Sequence, residues 1–116
     1  MREEFLPLER NFFRRGATLR QSLDRLDRSW AQLRDYLPGE RLSAVRSREA
    51  AALTATSRWA YASALARAES RGMQRRLDSP GADPEFLCSF EVSGLDRIDV
   101  TRSEIPGAAV AETRAQ

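Results

Sequence analysis

The residues best equipped for chemistry are acids and arginines gathered in one short stretch: Glu69, Arg71, Arg76 and Asp78, with Gly72 among them. Carboxylates and guanidiniums two residues apart form charge-assisted hydrogen bonds, so the stretch reads first as a charge cluster fastening a loop to a helix end. Arg71 and Arg76 would donate to helix carbonyls while pairing with Glu69 and Asp78, and Gly72 would supply a backbone position with positive φ. The competing reading is that part of this cluster faces another domain and helps set an interface. The rest of the chain offers catalysis little support. There is no histidine, and all 19 basic residues are arginine. Without lysine there is no Schiff base and no P-loop lysine; without histidine there is no imidazole base and no imidazole metal ligand. Cys88 is alone, which excludes an internal disulfide and a CxxC zinc site, and its neighbours Leu87, Ser89 and Phe90 suggest a strand interior. The six glycines never fall as GxG, so neither a dinucleotide loop nor a phosphate loop is present. No catalytic, cofactor-binding or metal-binding residue is expected in this chain.

The elements that must position the cluster follow from length and periodicity. With 116 residues, of which 41% are hydrophobic and 31% charged, the chain suits one globular domain with one modest core. No apolar run approaches the ~20 residues that span a bilayer, and the basic N-terminal stretch lacks the apolar region of a signal peptide. A cytoplasmic protein is the expectation. The patterning predicts a mainly α fold over residues 1–105, a three-helix bundle followed by a C-terminal β-hairpin, with 106–116 as a frayed tail. The first helix is short, from Arg2 to Phe13. The second starts near Thr18, where Thr18 and Gln21 resemble a capping box. It carries Leu19, Leu23, Leu26, Trp30, Leu33 and Leu37 at alternating steps of four and three before Pro38-Gly39 ends it. The third is a long alanine-rich helix from about Ser43 to Arg71, closed by Gly72 as a left-handed cap. Phe86 to Val92 and Arg97 to Arg102 then read as two strands around Ser93-Gly94-Leu95-Asp96.

Two features of the alanine helix suggest an interface. Its small residues permit close approach on several faces, and Trp59 and Tyr61, two residues apart, point in widely different directions, so one of them should leave the core. Arginines offset by 17 acids leave a net charge of +2, interspersed along the chain, which does not point to nucleic acid.

The order Phe12-Phe13-Arg14, a heptad helix, Glu69-Ser70-Arg71-Gly72, then Arg76, Asp78, Pro80 and a hairpin resembles the C-terminal helical domain of the succinate dehydrogenase and fumarate reductase flavoprotein family, which includes L-aspartate oxidase. In that family the long helix commonly closes with ESRG, followed by A-H-x-R-x-D-x-P; here the run is Met73, Gln74, Arg75, Arg76, Leu77, Asp78, Ser79, Pro80. The resemblance covers roughly residues 5 to 102. It departs from the pattern at Gln74, where the family has histidine, and at Cys88-Ser89-Phe90, where His-Thr-Leu is usual, which marks a divergent branch and puts succinate and fumarate in doubt as substrates. The resemblance implies that this is the structural C-terminal domain of an FAD-dependent oxidoreductase, with FAD and the substrate residues on earlier domains of the parent. Met1 would then be a truncated start. The FAD-binding domain of the parent, an iron–sulfur subunit or a second copy of the chain are the implied partners, and docking through such a subunit would place the parent at the membrane periphery. The alternative reading is a free-standing helical interaction module, dimerising through the Leu/Trp stripe or the alanine helix.

Overall fold

Leu19, Leu23 and Leu26 share one stripe of a helix, and that stripe decides how the chain packs. In the computed structural model, which describes residues 11–35 and 41–106, it lies on α1 (Gly16–Arg34), which packs against the longer α2 (Arg41–Ala66). Leu19 and Leu26 are buried together with Tyr61 of α2, and Leu23, Ala64 and Leu65 pack around them. Each such side chain contributes about 1.5–3 kcal/mol, so the apolar core is small. Between the helices sit short side chains, Ser22 on α1 with Thr54, Ala55 and Ser57 on α2, all buried, which let the two backbones approach closely. Ser57 satisfies its hydroxyl by donating to the Leu53 carbonyl at 2.6 Å.

A hairpin completes the architecture, with β1 (Cys88–Ser93) antiparallel to β2 (Asp99–Glu104) in a register running from Cys88↔Glu104 to Ser93↔Asp99. Cys88, Phe90, Val92 and Val100 are half-buried on the face towards α2, while Ser89, Glu91, Asp99 and Thr101 are exposed on the other. The first strand begins two residues later than its hydrophobicity suggests. Pro84–Phe86 is instead a 3-10 turn, capped by the Asp83 carboxylate, which accepts from Glu85 N–H at 2.9 Å. Gly94 opens the connecting loop at φ 88°, where a Cβ would lie 1.9 Å from the Arg97 carbonyl oxygen, so no other residue fits.

The three-helix expectation is corrected: among the described residues there are two helices and a two-stranded hairpin. The short helix proposed for residues 2–13 falls mainly outside the described residues. Of its described end, Asn11 is helical, and Phe12 and Phe13 form a turn leading into an extended Arg14 that pairs with Arg76 in a parallel bridge. The second helix begins at Gly16, not Thr18, with Arg15 as a cap residue that makes no side-chain cap bond. The alanine helix ends at Ala66, five residues before its expected end. Gly72 has the positive φ anticipated, 57°, but uses it in a tight turn in which Arg71 and Gln74 exchange backbone hydrogen bonds. The proposed tail at 106–116 lies outside the described residues apart from Pro106. No helix among the described residues is long and apolar enough to cross a membrane.

Candidate functional site

The helix ends explain where the polar cluster sits. An α-helix leaves carbonyls unpaired at its C-terminus and N–H groups unpaired at its N-terminus, with partial charge of matching sign. The end of α2 and the start of α1 meet at Arg76 and Asp78, and each residue serves one of them. Arg76, only 5% exposed, donates from Nη1 to the carbonyls of Ala64, Leu65 and Arg67 at 3.2–3.3 Å. Its Nε and Nη2 each reach Asp78 at 2.8 Å, a bidentate pair. The same Asp78 carboxylate accepts the Gly16 N–H at 2.9 Å, which is the cap that Arg15 does not provide. Hydrogen bonding from Arg76, helped by the Gly16 N–H, overcomes the effect of burial and holds the Asp78 carboxyl far below the usual carboxylate range. Gly16 leaves room for this contact, because a Cβ there would stand 2.7 Å from Arg76 Nη2 and 2.9 Å from Asp78 Oδ2.

Glu69 anchors the other half. It is 0% exposed and accepts from Arg67 Nη1 at 2.6 Å, Arg71 Nε at 3.0 Å and the Asp83 N–H at 2.9 Å. Burial alone would push its carboxyl up, but these three donors, Arg71 foremost, bring it down to about 2. Arg67 also donates to the carbonyls of Phe86 at 2.8 Å and Cys88 at 2.6 Å, which ties the start of the hairpin to the same carboxylate. Ser70 stitches the loop, accepting from Arg76 N–H and donating to the Ser79 carbonyl, both at 2.8 Å. Arg14 is held in place by backbone bonds to Arg75 and Leu77 at 2.9 and 2.8 Å. Gln74, standing where the resembled family has histidine, accepts from Arg14 and donates to the Ala64 carbonyl at 3.1 Å. An amide can make these two bonds as a neutral imidazole would, one donated and one accepted.

The structure therefore brings Glu69, Arg71, Gly72, Arg76 and Asp78 together, and it separates Trp59 and Tyr61 from them. Tyr61 is 4% exposed in the core, while Trp59 is half-buried and donates its indole N–H to the Gly94 carbonyl at 2.7 Å. Trp59 is one member of a second cluster that sequence reading misses. Arg58, 4% exposed, pairs with Asp27 at 2.6 Å, reaches the carbonyls of Leu95 and Asp96, and lies over the Trp30 ring at 5.3 Å. Trp30 Nε1 donates to the Asp96 carboxylate at 3.0 Å. That hydrogen bond first, with Arg34 assisting and burial opposing, lowers the Asp96 carboxyl from its ordinary value. These residues clamp the hairpin tip to both helices. Asp27, Arg58 and Asp96 lie 31 and 38 residues apart and carry no local spacing signal; only the tryptophan and arginine on neighbouring helical stretches hint at them.

Beside this clamp an open cleft of about 430 Å³ runs between the helices and the hairpin, floored by Leu23, Ile98 and Val100 and edged by Trp30, Arg34 and Arg58. Its charged groups are engaged with one another. Among the described residues no group of acids and cysteine is placed to hold a metal ion, and no buried side-chain polar atom lacks a partner. Both clusters spend their hydrogen-bonding capacity on the chain itself, as a structural device does. Set against known proteins, the chain matches no family model, and no curated protein matches it.

Proposed function

We propose that this chain is the C-terminal structural domain of an FAD-dependent oxidoreductase of the succinate dehydrogenase/fumarate reductase type, packing on the flavin domain of its parent and not catalytic alone. The observation that supports this reading is the behaviour of the motif residues as one unit. Of Glu69, Arg71, Arg76 and Asp78, which carry the E-S-R-G and R-x-D-x-P resemblance, the last two cap the facing ends of both helices and the first two fasten the adjoining loop, with every charge internally paired. Such a unit shapes a domain and leaves the chemistry to another part of the protein. FAD belongs to the parent in this reading, since the glycines of the sequence never fall as the GxG of a dinucleotide-binding loop.

The test is the native polypeptide in its source cells. Antibody raised against this chain should capture a protein longer than 116 residues that carries FAD, visible as flavin absorbance, whereas the 116-residue chain produced alone should be colourless. Capture of a flavin-free native polypeptide of 13.1 kDa would overturn the proposal and favour the free-standing interaction module.

A further inference from the structure

The Arg76–Asp78 cluster that joins the facing ends of α1 and α2, a latch between them, has an outer face. Because Arg14 and Arg76 are paired in a parallel bridge and their side chains turn inwards, the residues on either side of them point outwards together. Four apolar side chains near this bridge are exposed: Phe12 at 42%, Phe13 at 49%, Leu77 at 47% and Met73 at 82%. They leave roughly 400 Å² of apolar surface bare, at the level where a patch on a monomer begins to call for a function. Arg15 and Arg75 are exposed on the same face, and neither has a carboxylate partner among the described residues. The face is apolar with a basic fringe, and its backbone is pinned by the buried network beneath it.

The outer face of the hairpin has the opposite character. Leu87 and Ile105, exposed at 39% and 40%, flank the Cys88↔Glu104 pair, and Glu85 and Glu91 stand near them, exposed and without a cation partner among the described residues. This face is apolar with an acidic fringe.

We propose that these two faces are complementary halves of a self-association contact, in which the latch face of one copy of the chain docks on the hairpin face of another. Opposite fringes orient the encounter, and the apolar centres supply the burial. Patches of this size make a weak, salt-sensitive contact. Since the two patches differ, the contact is heterologous, and it builds chains or rings in place of a closed two-fold dimer. The inference is independent of the flavoprotein reading.

Sedimentation of the full 116-residue chain tests it. The expected result is concentration-dependent association that weakens as salt is added. Arg15→Glu with Arg75→Glu should weaken association by about tenfold or more, and so should Glu85→Arg with Glu91→Arg. An equimolar mixture of the two double variants should restore association with the two variants alternating, because the native acidic hairpin face of one meets the native basic latch face of the other and the two reversed faces are again opposite in charge. Circular dichroism confirms that each variant keeps its helices; should either charge variant fail to fold, Leu77→Ser and Leu87→Ser make the same pair of tests. A wild-type chain that is monomeric at all concentrations, or one whose association survives either charge reversal, would overturn the proposal. So would variants that each lose association but fail to complement one another. A monomeric chain that binds phosphatidylserine vesicles through Arg15 and Arg75 would likewise overturn it and give the latch face to a lipid surface.

Discussion

Arg76 serves the ends of two helices at once. One guanidinium neutralises the carbonyl end of α2 and, through Asp78, the N–H end of α1, so two helix termini are capped by a single ion pair. The arrangement leaves no space at Gly16. In the first turn of an unobstructed helix, alanine is as good as glycine or better. Here a Cβ would press on two side-chain ends that cannot swing away without breaking their bonds. Gly16→Ala is therefore expected to destabilise, by about 1–2 kcal/mol, against the direction of helix propensity. Thermal denaturation checks it: an unchanged or higher midpoint would mean that Arg76 and Asp78 shift at little cost.

At the scale of elements, the hairpin depends on the helices for its tip. A two-stranded sheet is marginal in water unless one face is covered, and α2 covers only the half-buried side chains of β1 and Val100. The clamp from Arg58, Trp59 and Trp30 holds the Gly94–Asp96 loop through four hydrogen bonds, and Arg58 lies over the Trp30 ring. Arg58→Ala removes the central member and leaves Asp27 unpaired, at a cost of about 1–3 kcal/mol. The loss should be local. Amide hydrogen exchange should accelerate in Cys88–Ser93 and Asp99–Glu104 more than in α1 or the second half of α2. Uniform acceleration everywhere would show that the hairpin and helices open as one unit.

For the molecule as a whole, a small apolar core and a large buried polar network set a particular response to acid. Glu69 titrates at about 2 in the folded chain against an ordinary 4.5, and Asp78 likewise sits below its ordinary 3.8. A carboxyl whose folded value is depressed contributes stability that is complete above its unfolded value and is lost as pH falls through the folded one. Stability should accordingly be flat down to about pH 5 and decline steadily towards about pH 2. Glu69→Gln should lower the midpoint at neutral pH and flatten part of that decline. A variant with the same acid slope as the parent chain would show that Glu69 does not contribute to it.

What the amino-acid sequence determined by itself is local. The Leu19–Leu26 stripe, the alanine helix, the positive φ of Gly72 and the hairpin about Gly94 follow from periodicity and from backbone conformations that only certain residues adopt, so they are legible without neighbours. The proximity of Glu69, Arg71, Arg76 and Asp78 was legible for the same reason, since these residues are close along the chain. Tertiary structure decided the rest. Whether the alanine helix stopped at Ala66 or ran on to Arg71 depended on whether Arg76 and Gln74 folded back to take its last carbonyls, a choice invisible to helix propensity. The start of α1 depended on Asp78, 62 residues away, because the cap its own sequence suggested at Thr18 was replaced by a carboxylate brought in through space. The clamp of Asp27, Arg58 and Asp96 was unreadable because hydrogen bonds between side chains on different elements leave no period in the sequence; they exist only once burial has set the elements side by side.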